Sequence, residues 1–325
     1  ITVMATPASA AISNVTVGLT NAIAGQASNY TIKFKMQQPL DFLVITEGID
    51  ITFPAGTDVS TWTAVTVEGT TWAGAPAVYT FPANLMVWNI FAAGAALPPN
   101  GIHIDLLTGD LAPGWVTVRI AGVTNGAPCH QTLIVGTSKE TAVTSPSYPI
   151  YLFDIQLLPG WNLISLPGIP EDTDIEVVLA DLLPPVCDPG HDFQVWYYDC
   201  GQWYVYCYDT AFETLTTMDE CRAYWIYIDY PASFRVKGVW YNDPPDPPYQ
   251  KKCYHECWNM VGFTSANASK TLATYTASLV PAGKIIYWYG WDAASQTWEI
   301  NPDPLLQGKG YWMAFTADAC FVPPL

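Results

Sequence analysis

The sequence predicts a mainly β protein: an N-terminal β-sandwich followed by two small β-rich modules that match each other, each with one short helix. Three observations predict it. Short runs of alternating apolar and polar residues fill residues 12–150, punctuated by Gly, Pro and Asn, with no long 3.6-residue apolar period. Three aromatic blocks recur in the same order after residue 150. Composition shifts at the same place, because the first 150 residues hold 4 of the 14 Trp, 3 of the 19 Tyr and 1 of the 8 Cys.

The elements follow in order. Ile1-Thr2-Val3-Met4-Ala5-Thr6 alternates and is cut off by Pro7. Ile1, Val3 and Ala5 share one face, so residues 1–11 read as an arm ending in a strand. Such a strand pairs with its own sheet or is donated to an open edge of another copy. Within 12–150, strands are predicted over 15–19, 30–36, 49–53, 64–67 and 115–120, and Ser145-Pro146-Ser147-Tyr148-Pro149 supplies the turn that ends the unit. Many short strands at this spacing predict a sandwich.

Beyond the turn, Gly160-Trp161-Asn162-Leu163-Ile164-Ser165 matches Cys257-Trp258-Asn259-Met260-Val261-Gly262. Val195-Trp196-Tyr197-Tyr198 matches Ile286-Tyr287-Trp288-Tyr289, and Ala223-Tyr224-Trp225-Ile226 matches Gly310-Tyr311-Trp312-Met313. The modules are placed at 151–243 and 250–325, joined by a stiff Pro-rich linker over 242–248. In the first, Thr173-Asp174-Ile175-Glu176 reads as a capping box, followed by Ile175, Val178, Leu179 and Leu182 on one face until Pro184-Pro185. In the second, Leu272, Tyr275 and Leu279 share a face and Pro281 ends the helix.

Two resemblances rest on these residues. Val15-Thr16-Val17, Ala24-Gly25, Tyr30-Thr31-Ile32, Ile51-Thr52-Phe53-Pro54-Ala55-Gly56-Thr57 and Val118-Arg119-Ile120-Ala121-Gly122-Val123-Thr124-Asn125 resemble an immunoglobulin-like module of secreted and surface-layer proteins of bacteria and archaea. The pair of C-terminal modules resembles a tandem Gly-Trp-Asn-Leu module found at the C-termini of prokaryotic exported proteins. Together they imply a surface-layer or extracellular filament subunit.

Composition narrows the chemistry. With 12 Lys+Arg against 29 Asp+Glu the net charge is −17, which disfavours phosphate backbones and hence nucleic acid. No apolar run reaches the ~18–20 residues of a membrane-spanning helix. The Cys residues, without CxxC spacing, predict disulfides in an oxidising, extracellular setting. The candidates are Cys187, Cys200, Cys207, Cys221, Cys253, Cys257 and Cys320, with Cys257–Cys320 the preferred pair, tying the first strand of the last module to its closing strand. Asn14, Asn29 and Asn267 begin N-x-S/T sequons and are glycosylation candidates. Asp172 and Asp174 offer hard oxygen ligands to a structural calcium ion, against the plainer role of charge at a helix N-terminus. No other cofactor is implied.

No nucleophile elbow is present, and Cys129-His130 on a strand would point to opposite faces, so no catalytic residue is predicted and the chain reads as a non-enzyme. Trp203, Tyr204, Tyr287 and Trp288 are candidates for exposed aromatics, facing core, a protein partner or a sugar ring. The expected function is an extracellular structural subunit that assembles with copies of itself into a filament or surface layer by N-terminal strand donation. The alternative is a cell-surface adhesin or carbohydrate-binding module whose partners are glycans or other surface proteins.

Overall fold

The computed structural model describes residues 11–41, 47–82, 100–105, 110–182, 193–206, 214–240 and 252–323. The chain divides into two compact units, Ile1–Ile150 and Tyr151–Leu325. Both are built from antiparallel strands. The strand-donor residues Ile1, Val3 and Ala5, the linker over 242–248, Cys187 and Cys207 lie outside the described residues.

The first unit contains β1 (Ser13–Leu19), β2 (Ala27–Met36), β3 (Gly48–Thr52), β4 (Ala64–Thr70), β5 (Pro76–Pro82), β6 (Gly101–Asp105), β7 (Gly114–Thr124), β8 (Cys129–Gln131), β9 (Ile134–Thr137), β10 (Glu140–Thr144) and β11 (Tyr148–Ile150). Five of them form a sheet in the order β1-β2-β7-β4-β5, four form another in the order β10-β9-β3-β6, and β11 pairs with β8. One apolar core serves both larger sheets. It takes Tyr30, Ile32, Phe34 and Met36 from β2, Val116, Val118 and Ile120 from β7, and Ile49 and Ile51 from β3. The strict alternation of β2 explains this, since Thr31, Lys33 and Lys35 fall on the other face. Buried His103 faces Asp50 across the β3–β6 ladder, Nδ1 to Oδ1 at 2.6 Å, so this buried imidazole has a carboxylate partner.

The second unit contains β12 (Phe153–Leu157), β13 (Gly160–Ser165), β14 (Ile169–Pro170), α1 (Ile175–Val178), β15 (Phe193–Asp199), β16 (Gln202–Tyr206), β17 (Ala223–Ile228), β18 (Ala232–Val236) and β19 (Gly238–Val239). It continues with β20 (Lys252–Tyr254), β21 (Trp258–Gly262), β22 (Ser269–Lys270), α2 (Leu272–Tyr275), β23 (Ile285–Asp292), β24 (Thr297–Ile300), β25 (Leu305–Leu306), β26 (Gly310–Phe315) and β27 (Ala319–Phe321). Two four-stranded sheets have the orders β13-β17-β15-β16 and β21-β26-β23-β24. Position by position they follow the same scheme: Trp225 lies opposite Leu163 as Trp312 lies opposite Met260.

The Trp-Asn pair that opens β13 and β21 has a physical explanation. The buried Asn162 amide accepts from the Leu158 N–H at 2.9 Å and donates to the Leu158 and Gly160 carbonyls, closing the turn before the strand. Asn259 does the same with the His255 N–H and the His255 and Cys257 carbonyls. The tyrosines that precede Trp225 and Trp312 also act alike, the Tyr224 hydroxyl accepting from the Asp219 N–H and the Tyr311 hydroxyl from the Leu306 N–H, both at 2.7 Å.

Several expectations need correction. The first helix is one turn long and its N-cap is Asp174, whose carboxylate accepts from the Glu176 N–H, so Thr173 does not head a capping box. The apolar set Ile175, Val178, Leu179 and Leu182 is buried, because the chain past the helix continues in turns that keep the same side inward. The aromatic match over 195–198 is offset by two residues. Trp196 lies opposite Trp225 while Tyr289 lies opposite Trp312, so Trp196 corresponds to Tyr289 and Tyr198 to Trp291. The preferred bridge Cys257–Cys320 is replaced by Cys253–Cys320. Cys253 and Cys320 are directly opposed in the β20–β27 ladder, where side chains stand closest, whereas Cys257 lies beyond the turn.

Candidate functional site

Each four-stranded sheet of the second unit is apolar on both faces. Directly opposed strand residues share a face, so in the first sheet Asn162, Ile226, Val195 and Tyr206 look to one side and Leu163, Trp225, Trp196 and Val205 to the other. The first set joins a buried core with α1. The second faces the other sheet, where Met260, Trp312 and Trp291 belong to the same cluster as Leu163 and Trp225. Two sheets each thus bury one face in their own core and pack the other into an aromatic seam.

Matched backbone contacts hold the seam. The Ser165 N–H donates to the Gly308 carbonyl at 3.0 Å, and the Gly262 N–H donates to the Cys221 carbonyl at 2.9 Å. Ser165 and Gly262 end equivalent strands, so the contact is close to two-fold. Small residues are required there: a Cβ on Gly262 would stand 2.5 Å from the Arg222 carbonyl oxygen, and one on Gly310 would stand 2.5 Å from the Ala223 Cβ. Cys221, with φ 65°, takes the left-handed place that Gly308 takes in the other sheet. Burial pushes its thiol up to about 12, so at neutral pH it is protonated and unreactive.

Where the seam opens, six indoles line a cavity of about 460 Å³: Trp161, Trp196, Trp203, Trp225, Trp291 and Trp298. Trp225 is the hub, with ring centroids 6.0 Å from Trp161, 5.2 Å from Trp291 and 5.5 Å from Trp298, all edge-to-face. Trp196 and Trp203 meet at 6.1 Å, also edge-to-face. Right-angled contacts of this kind suit the indole quadrupole and hold neighbouring ring faces in different directions. Gln296, at the tip of the β23–β24 hairpin, fixes the floor. Its Oε1 accepts from the Trp161 N–H at 2.8 Å and its Nε2 donates to the Trp161 carbonyl at 3.0 Å, which also accepts from the Trp291 indole N–H at 2.8 Å. Gly160, at φ +99°, makes room, since a Cβ there would meet the Gln296 side chain at 2.6 Å.

The chemistry on offer is narrow. Among the described residues no titratable side chain lines the cavity. The indole N–H groups of Trp196 and Trp291 are used by Gln194 and Trp161. Those of Trp161, Trp203, Trp225 and Trp298 donate to no described residue, and the surface of the cavity is almost wholly apolar.

Of the four aromatic candidates, Trp203 lines the cavity and is 46% exposed, and Tyr287 is exposed on the same face of its sheet as Trp291. Tyr204 and Trp288 fall on the opposite faces and pack against the two cores, the physical consequence of strand alternation. Trp161, Trp196, Trp225, Trp291 and Trp298 were not singled out as a set. The signal for them is the shared parity of aromatic positions across five strands, which requires the register. Asp172 and Asp174 spend carboxylate oxygens on the backbone N–H groups of Asp174 and Glu176, and no cluster of three or more metal-ligating side chains occurs among the described residues. Asn14, Asn29 and Asn267 are exposed. Among the described residues no helix is long and apolar enough to cross a membrane.

Compared with known proteins, the chain matches no protein-family model and no curated protein sequence.

Proposed function

We propose that the protein is an extracellular, cell-surface binding protein whose C-terminal unit holds a neutral carbohydrate in the tryptophan-lined cavity. In this reading the first unit is an immunoglobulin-like sandwich that serves as a spacer. The second unit is a tandem pair of copies of one Gly-Trp-Asn-Leu-type module, and the cavity exists only because the copies pack face to face. The observation that carries the reading is the conjunction of six indoles around one apolar cavity with no charged side chain among its described lining residues. Sugar rings offer apolar C–H faces that stack on flat indole faces of this kind. A lining without acids or bases favours binding over proton-transfer catalysis.

The test is a glycan array probed with the full chain, followed by titration calorimetry on any hit. Trp298→Ala, at a ring 49% exposed, is expected to weaken binding at least tenfold while leaving the unfolding midpoint nearly unchanged. Binding that survives Trp298→Ala and Trp203→Ala unchanged, or no glycan retained at all, would overturn the reading.

A second reading, self-assembly into a filament or layer, is favoured by one observation. Among the described residues strand β5 is an outer edge of its sheet and carries no charged residue, and Val78 on it is 64% exposed. An edge without charge is a template for a strand from another copy. Negative-stain microscopy decides: ordered fibres that vanish on Val78→Lys support this reading, and dispersed particles at high concentration count against it.

A further inference from the structure

We infer that Cys200 and Cys257 form a second disulfide, which staples the β15–β16 hairpin to the start of β21 and so fixes the two sheets whose tryptophans line the cavity. The two-fold character of the seam points to it. At one end, the tip of the β23–β24 hairpin reaches the residues that open β13, with Gln296 clamped on Trp161 beside Gly160. The equivalent contact at the other end joins the tip of the β15–β16 hairpin to the residues that open β21. Cys257 precedes Trp258 as Gly160 precedes Trp161. Four residues, 293–296, lie between the paired Asp292 and Thr297, but only Cys200-Gly201 lies between Asp199 and Gln202. The shorter tip has no side chain placed to copy the amide clamp. Instead burial and the neighbouring Cys200 thiol raise the pKa of the Cys257 thiol, and the Tyr198 N–H donates to the Met260 Sδ at 3.2 Å, joining β15 to β21.

Two further features fit. Cys200 occupies the left-handed region, φ 47°, in a two-residue hairpin where Asn or Gly is the usual choice. A residue that costs backbone strain is retained where its side chain is needed. Cys200 is exposed and Cys257 partly so, which gives an oxidant access, whereas Cys221 is enclosed. The oxidant required is a disulfide, either of a protein oxidoreductase or of a small thiol. The Cys200 thiolate, having lost its proton, attacks that disulfide and releases one thiol, leaving a mixed disulfide. The Cys257 thiolate then attacks the Cys200 sulfur and expels the second thiol. One S–S bond forms and one breaks, and the two electrons leave in the reduced oxidant.

The experiment takes the full chain, equilibrated with glutathione disulfide, blocked with N-ethylmaleimide and digested without reduction for mass spectrometry. The expected result is a Cys200–Cys257 linked peptide alongside Cys253–Cys320. Both cysteines recovered as alkylated thiols, or linked to Cys187, Cys207 or Cys320, would overturn the inference. The stapling role is read separately by unfolding. Cys200→Ser should lower the midpoint of the C-terminal unit by roughly 5–10 °C under non-reducing conditions, and should move tryptophan emission to longer wavelength as the cavity loosens. Stepwise reduction of the folded wild-type protein supplies the same comparison without a substitution. Identical midpoints and spectra for oxidised and Cys200-free protein would show that the bond, if formed, staples nothing.

Discussion

In the first unit the outward positions of β2 and β7 include Thr31, Lys33, Lys35, Trp115, Thr117 and Arg119, one aromatic among polar and charged residues, while in the second the outward positions of β13, β15 and β17 include Trp161, Leu163, Trp196, Trp225 and Tyr227. Two sheets that each own one apolar face satisfy each other around a single core, and their other faces meet water. Two sheets that each own two apolar faces cannot finish that way. Each closes a core of its own and still has an aromatic face to cover, so the sheets stack on it. The same alternation thus gives two sheets around one core in one unit and a seam with a tryptophan-lined mouth in the other. The lesson is that the second face, rather than the first, decides whether a β module ends at its own surface.

The sharpest way to break the contrast is to insert a methyl group into each kind of outward face. Gly262→Ala places a Cβ within 3.0 Å of three Arg222 backbone atoms in the seam. Backbone cannot yield as a side-chain tip can, so the variant should lose about 3 kcal/mol by urea denaturation. Gly18→Ala, on β1 of the first unit, meets only the Thr31 carbonyl oxygen at 4.0 Å. It should change stability by less than about 0.5 kcal/mol. Equal effects would show that the seam is not a packed interface.

A smaller loss tests whether the two stacked sheets are held by the same device. Asn162→Ala and Asn259→Ala each leave the half-buried N–H and C=O groups of one turn without their side-chain partner, and each should cost about 1–2 kcal/mol. Near-equal values would support the reading of the sheets as copies, and a large difference would count against it. This part was legible in the sequence, because Trp-Asn recurs with apolar residues behind it. So was the parity of β2, where Tyr30, Ile32, Phe34 and Met36 could face only one way. The cavity was not legible. Trp161, Trp196, Trp203 and Trp225 lie on four strands, and only the pairing register shows that they share a face. The two-residue offset has the same cause: Trp196-Tyr197-Tyr198 looks like Tyr287-Trp288-Tyr289 as a string, but the partner strands β17 and β26 set which residues correspond. The bridge to Cys320 turned on the β20–β27 register as well, which chooses Cys253 over Cys257 although both lie close in sequence.

The least costly test compares one ion pair from each unit. Arg119–Glu68 in the first unit is a side-chain pair on an outward face, with the Arg119 Nε and Nη2 bonded to the Glu68 carboxylate at 3.2 and 3.1 Å. Arg235–Asp181 in the second is more embedded. Asp181 accepts from the Arg235 Nε and Nη2 and also from the Arg235 backbone N–H at 2.9 Å, and the guanidinium lies 4.2 Å above the Tyr151 ring. The side-chain hydrogen bonds from Arg235 hold the Asp181 carboxyl below the usual carboxylate range, against a smaller upward push from burial. A carboxyl whose folded value is depressed contributes stability that is complete above its unfolded value, near ~4, and that disappears as pH falls through the folded value. Both partners are about a third or more exposed, so solvent screening keeps the contribution below about 1 kcal/mol. Denaturation midpoints of wild type and Asp181→Asn should therefore differ slightly at pH 6 and converge as pH falls below about 4. A double-mutant cycle at pH 6 should give a larger coupling for Arg235–Asp181 than for Arg119–Glu68, since only the former adds a backbone donor and a ring face. A difference that stays constant with pH would mean that Asp181 matters through packing and not through its charge.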